Sequence, residues 1–222
     1  KLISILGAEG VDTNNISIVK NHPTTLKNRI YSDGKQVARL DREKIVNWAP
    51  DWSSINSNTC IISDYNKGVI SSIPNISSIT VVDPKKEDFS LYQNATIVTP
   101  NLNELQRATD ILIKDNESII DACNQLIKKN NFDYIVAKKG SEGMTIVGKN
   151  NFFIHINTSP VKNPDVTGAG DTAVAALSLA YTQTQDIEFS AKIANEAARI
   201  AVSKPGTSSA TIKEIIMRSS IF

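Results

Sequence analysis

The sequence predicts an α/β fold, a mostly parallel sheet flanked by helices, with a small antiparallel β ribbon near residues 15–42. Two patterns point to the sheet. The runs Cys60-Ile61-Ile62, Ile79-Thr80-Val81-Val82, Thr96-Ile97-Val98 and Tyr134-Ile135-Val136 are apolar and β-branched, as strands covered on both faces are. Between the last two, Ile119, Ile120, Cys123, Leu126 and Ile127 recur at helical spacing. Strand alternating with helix argues for a parallel α/β sheet. A third pattern gives the ribbon: Asp33-Gly34 is a strong hairpin turn flanked by Ile30, Tyr31, Val37 and Leu40.

Taken in order, each strand run stops at a polar residue or cluster: Asp64, Asp83, Thr99-Pro100-Asn101 and Lys138-Lys139-Gly140. In open α/β sheets ligands bind beyond the carboxyl ends of the strands, so this row outlines a candidate site; the alternative is that loops are polar in any case. Residues 144–147 and 152–156 read as two strands of a hairpin turning through 148–151. The Ala/Leu run 172–180 supplies a buried helix, and 191–204 a small-residue helix that ends at Pro205-Gly206-Thr207. Thr211 with Glu214 forms a capping box opening a last helix.

A chain of 222 residues can bury one substantial core, and no composition break separates a second full-sized domain from it, so 1–222 reads as one domain. Its net charge of +1 provides no global basic field for nucleic acid. Cys60 and Cys123 lie far apart in apolar runs and read as buried reduced thiols. With no 18-residue apolar stretch and no signal-peptide pattern, a cytoplasmic protein without membrane partners is expected. His22 and His155 are isolated, so no zinc spacing exists.

The strongest chemical signal is Asp165-Val166-Thr167-Gly168-Ala169-Gly170-Asp171. Small residues at 168–170 let the backbone turn tightly onto a ligand, and the free amides of the following helix start form an anion site. An acid at 171 fits there if it faces a substrate hydroxyl and takes its proton during phosphoryl transfer. The alternative is a small-residue turn with an ordinary first-turn Asp. Two other nucleotide signatures fail on context. The dinucleotide fingerprint over 168–173 is preceded by loop rather than strand, and Asn150 stands where the near phosphate loop over 143–150 requires Ser or Thr. Asn101 and Glu104 share a helix face and suit magnesium as oxygen ligands; a capping box is the alternative.

Together these residues resemble the ribokinase (PfkB) family of carbohydrate kinases, with 165–171 similar to its C-terminal signature and Asn101-Leu102-Asn103-Glu104 to its magnesium-associated motif. That resemblance implies a ribokinase-like fold with ATP and Mg²⁺. It implies Asp171 as catalytic base, with Gly168, Ala169 and Gly170 forming the anion hole. Asp165 and Thr167 match positions that bind a monovalent cation in some members, which extends the expectation to K⁺. The segment 138–143 aligns with the nucleotide-phosphate loop, implicating Lys138, which replaces the usual threonine, with Lys139, Gly140 and Gly143. Asn195, Gly206 and Thr207 fall where the adenine pocket is expected.

Within the family, the segments 22–29, 36–43, 63–68, 83–89 and 194–207 look most like the kinase domain acting on D-glycero-D-manno-heptose 7-phosphate in lipopolysaccharide heptose synthesis. Lys27, Arg29, Gln36, Arg39, Asp41, Asp64 and Lys67 are the sugar-phosphate residues this likeness implies, and the basic ones suit an anionic sugar. The resemblance leads to the expectation that the chain lacks the family's N-terminal portion, with its Gly-Gly-Asn sugar-binding segment, and a nucleotidyltransferase domain after Phe222. The expectation is therefore an ATP-dependent sugar-phosphate kinase, with homodimerisation open. Its alternatives are a family kinase for ribose, fructose or a nucleoside, or a non-catalytic kinase-like binding module.

Overall fold

A computed structural model describes residues 1–33, 35–46, 48–73 and 77–218. The chain divides into two compact units, one formed by 1–55 with 66–71 and the other by 56–65 with 72–222.

The smaller unit contains a short helix α1 (Leu2–Ala8) and the expected ribbon, β1 (Leu26–Ser32) paired antiparallel with β2 (Lys35–Arg42). The ribbon begins at Leu26, later than expected, and residues 9–25 hold no strand. Asp33 enters the turn at φ 50°, a left-handed conformation that Asp tolerates. Lys27 lies opposite Asp41 and Arg29 opposite Arg39. Cross-strand partners and i, i+2 neighbours share a face, so these four side chains gather on one side, where Asp41 ion-pairs with Arg39 at 3.0 Å. Gly68 (φ +89°) ties 66–71 to this unit: a Cβ there would lie 2.4 Å from the Val46 carbonyl oxygen.

The larger unit is the six-stranded sheet β3 (Thr59–Ser63), β4 (Ile79–Asp83), β5 (Ile97–Val98), β6 (Tyr134–Lys138), β7 (Met144–Gly148) and β8 (Phe153–Ile156), adjacent in that order. β3 to β6 run parallel, and β6, β7 and β8 are antiparallel. The helices are α2 (Leu102–Thr109), α3 (Asn116–Asn130), α4 (Ala169–Thr184), α5 (Ile187–Val202) and α6 (Ile212–Arg218). One sheet face packs Val81, Ile97, Val136 and Ile146 against Val174 and Leu177 of α4 and Ala191 and Ala194 of α5. α3 covers β6 and β7 from the other side, presenting the buried Ile119, Cys123 and Leu126. Each such aliphatic side chain contributes about 1.5–3 kcal/mol by leaving water. α6 docks on α5 through Ala197, Ile200 and Ile215.

The turns follow the sequence closely. The hairpin through 148–151 places Asn150 and Asn151 both at φ 58°, as a two-residue turn matched to strand twist requires. It is therefore a hairpin and not a phosphate loop. Both cysteines are free, Cys123 buried and Cys60 partly so. Among the described residues no helix is long and apolar enough to cross a membrane.

Candidate active site

The carboxyl ends of β4, β5 and β6 and the start of α4 meet around a cleft of about 550 Å³, lined among others by Asp83, Asn101, Lys138, Gly140, Gly168 and Asp171. Gly168 is the N-cap of α4 at φ +80°, and no side chain caps the helix. A Cβ on Gly168 would sit 3.2 Å from Thr207 Cγ2, so glycine serves both the left-handed turn and the close packing. Apart from the Ala169 N–H, which donates to the Val166 carbonyl at 3.3 Å, the amides that open α4 can serve an anionic ligand. Asp171 stands in this first turn and is exposed. Its carboxylate accepts the Tyr65 hydroxyl, at 3.1 Å to Oδ1 and 3.3 Å to Oδ2. Burial first, then the Asp171 charge and hydrogen bond, push the Tyr65 phenol upward, so it stays a donor.

Asp165 braces the turn from behind. Its Oδ1 accepts the Thr167 N–H at 3.1 Å and its Oδ2 the Gly206 N–H at 2.8 Å. Asp165, Thr167, Gly206 and Thr207 are thus brought together, but none of them lines the cleft. Gly206 and Thr207, expected at an adenine pocket, also touch the 165–171 turn. Asn195 does line the cleft and donates to the Asn157 carbonyl at 3.0 Å.

Across the cleft an alternating chain of charges runs beneath the anion turn. Lys138 Nζ lies 2.5 Å from Asp83 Oδ1, Lys85 Nζ 3.5 Å from Asp83 Oδ2, and Lys85 Nζ 2.7 Å from Glu104 Oε1. Asp83 and Glu104 are almost fully buried. Burial works against the Lys85 ammonium, but Glu104 and Asp83 outweigh it and raise its pKa. Lys138 reaches the turn itself, since its Nζ lies 3.9 Å from where a Gly170 Cβ would be. Lys139 takes the opposite side, bonding Asn116 Oδ1 at 2.9 Å and Glu142 at 3.4 Å, and does not line the cleft. Gly140 (φ +62°) and Gly143 (φ +93°) shape the loop after β6, and a Cβ on Gly143 would meet the Ile156 carbonyl oxygen at 2.0 Å.

Asn101 and Glu104 form the capping box of α2: Asn101 Oδ1 accepts the Glu104 N–H at 2.9 Å and Glu104 Oε2 the Asn101 N–H at 2.8 Å. Glu104 Oε1 holds Lys85, so both of its oxygens are engaged. Among the described residues no group of three or more His, Cys, Asp or Glu could hold a metal by itself. Direct coordination by Glu104 would have to break one of its bonds to Asn101 and Lys85, whereas contact through water would not. Asp64 is 2% exposed and does not line the cleft; its carboxylate accepts the Tyr92 hydroxyl at 2.8 Å and faces Lys86 at 3.8 Å. Lys27, Arg29, Arg39, Asp41 and Lys67 belong to the smaller unit, where Lys67 is ion-paired with Glu43. The Gln36 side chain lies outside the described residues. Tyr65 and Lys85 were not singled out in the sequence, although each lies two residues past a strand end in the same polar row.

A helix start with open amides, an acid in its first turn and lysines at the strand ends make a cleft suited to a phosphorylated ligand. The sequence profile of the pfkB family carbohydrate kinases matches residues 1–214, and the chain belongs to that family. It is 32% identical over 236 residues to the bifunctional protein HldE of Pelobacter propionicus, covering 97% of this chain and 48% of the relative. The chain thus spans about half the length of the curated relatives it matches. In structure it is similar to the ribokinase of Thermotoga maritima, with a TM-score of 0.79 at 20% identity over 97% of this chain and 75% of that one. The Arabidopsis thaliana ribokinase complexed with ribose and ATP gives a TM-score of 0.76 at 21% identity, covering 94% and 73%. The fold is ribokinase-like.

Proposed function

We propose that the chain carries an ATP-dependent kinase activity that phosphorylates D-glycero-D-manno-heptose 7-phosphate at its anomeric hydroxyl, giving the 1,7-bisphosphate used in lipopolysaccharide core heptose synthesis. The observation that carries the reading is the Asp171 carboxylate in the first turn of the uncapped helix α4. The likeness to HldE over 97% of the chain supports the heptose, as do the motif segments that resemble heptose 7-phosphate kinase domains.

In this reading the γ-phosphate rests on the amides of 168–170 and Asp171 accepts the proton of the sugar hydroxyl. The sugar oxygen bonds to γ-phosphorus as the bond to ADP breaks. Proton acceptance of this kind contributes about 10²–10⁴-fold. Lys138, beside Gly170, offers an ammonium to the transferring group. Asn195 and the loop holding Gly140 and Gly143 take the nucleotide, while Asp165 and Thr167 with a monovalent cation such as K⁺ support the turn. Asn101 and Glu104 would hold magnesium through water, and the metal, when bound, neutralises phosphate charge. Within the smaller unit, Lys27, Arg29 and Arg39 share a basic ribbon face whose charge suits a phosphorylated sugar.

A coupled ADP-release assay with a sugar panel and phosphorus NMR of the product tests this. The expected result is fastest turnover of heptose 7-phosphate with a new anomeric phosphate. Faster turnover of ribose, fructose or a nucleoside would replace the substrate, and ATP binding without transfer to any sugar would leave a non-catalytic module.

A further inference from the structure

The Asp171 carboxylate already carries a hydroxyl, and that hydroxyl belongs to the protein. Tyr65 lies two residues past the end of β3 and lines the cleft, and its OH donates to both carboxylate oxygens at 3.1 and 3.3 Å. A single donor shared between both oxygens takes up the side of the base that a substrate hydroxyl needs. Tyr65 is 48% exposed.

We propose that Tyr65 stands in for the acceptor hydroxyl on Asp171 until the sugar displaces it, which makes Tyr65 a specificity-determining residue that keeps water off the base. The inference rests on the reading of Asp171 as general base. A base able to take a proton from a sugar can take one from water. In that side reaction a water oxygen bonds to γ-phosphorus, the γ-phosphorus–oxygen bond to ADP breaks with its electron pair leaving on ADP, and the water proton passes to Asp171. The products are ADP and inorganic phosphate. A donor that must be displaced before any acceptor approaches suppresses this reaction, and the sugar, which brings binding contacts of its own, overcomes it.

The test is Tyr65→Phe, which keeps the ring and removes only the hydroxyl. The net contribution of a typical hydrogen bond, the range suited to an exposed position, predicts roughly three- to tenfold effects. Sugar-independent phosphate release from ATP should rise by that factor, and KM for the sugar should fall, with kcat moving less than KM. Tyr65→Leu should shift hydrolysis in the same direction. Adding Asp171→Asn to Tyr65→Phe should cancel the rise, showing that it runs through the base. Unchanged hydrolysis in Tyr65→Phe, or a raised sugar KM, would overturn the proposal, the latter because Tyr65 would then be a sugar contact. Normal sugar phosphorylation by Asp171→Asn alone would instead remove the base reading and the proposal with it, so the two failures are distinguishable.

Discussion

Replacing Asp83 by asparagine removes an acid shared by Lys138 and Lys85 at the cleft floor. Lys138 has Asp83 at 2.5 Å, and only 15% of the Lys138 side chain is exposed. Lys85 keeps Glu104 at 2.7 Å. Asp83→Asn therefore strands chiefly the Lys138 ammonium, and removing one partner of a buried pair costs about 3–5 kcal/mol. Asparagine still offers Lys138 an amide oxygen, so the expected loss is at the low end, about 3 kcal/mol. The converse change, Lys138→Met, keeps the buried stem and leaves Asp83 with Lys85 at 3.5 Å and the Thr99 hydroxyl at 3.3 Å. Its cost is about 1–2 kcal/mol. For a chain of this size each kcal/mol moves Tm by about 2–4 °C. Thermal denaturation without ligand should place Asp83→Asn about 6–12 °C below wild type and Lys138→Met about 2–8 °C below. Lys138→Met should nonetheless lose kcat on the order of 10²-fold, because it removes charge from the transferring group. If Lys138→Met melts as low as Asp83→Asn, Asp83 is not the hub and the reasoning fails.

Two further outcomes follow from local geometry. Gly143→Ala puts a Cβ 2.0 Å from the Ile156 carbonyl oxygen at φ +93°, whereas Gly140→Ala meets nothing within 4 Å at φ +62°. Differential scanning fluorimetry should show Gly143→Ala the more destabilised, by more than the roughly 1–2 kcal/mol expected for left-handed strain alone; equal melting temperatures would contradict the packing argument. Glu214 is held down to about 2, by Lys204 first and then Thr211. Because its pKa is depressed on folding, its support for α6 is complete above the ordinary carboxylate range and is lost as pH falls toward 2. Amide exchange in 212–218, corrected for intrinsic rates, should therefore increase from about pH 5 to about pH 2.5. Glu214→Gln should flatten that dependence, and equal slopes in the two proteins would contradict it.

Much of this was legible in the sequence because it is local. Val81, Val82, Ile97 and Val98 are apolar on consecutive positions, and the strands they form are buried on both faces. The turns at Asp33 and at Asn150-Asn151 announce themselves by residue type. The anion turn was visible because Gly168 and Gly170 precede a helix-forming run. What stayed hidden depends on which way a side chain leaves a strand end. Lys138 and Lys139 are adjacent, yet one enters the cleft and the other bonds Asn116 at the start of α3. Asp83 ends β4 opposite Ser63 and faces the cleft, while Asp64, one residue past the end of β3, is turned to Tyr92. No spacing rule encodes the Lys138–Asp83 or Tyr65–Asp171 contacts, which join residues 55 and 106 positions apart. For Asn101 and Glu104 the two readings of the sequence are not exclusive. The capping box is present, and a metal held through water is the proposal that can stand beside it.

The central claim is that Asp171 takes the acceptor proton, and the most direct measurement is the initial rate of ADP release with saturating ATP, magnesium and heptose 7-phosphate for wild type and Asp171→Asn. Asparagine preserves the shape of the turn but cannot accept the proton. The account predicts a kcat lower by about 10²–10⁴-fold with the melting temperature little changed. A folded Asp171→Asn protein that turns over at the wild-type rate would contradict it.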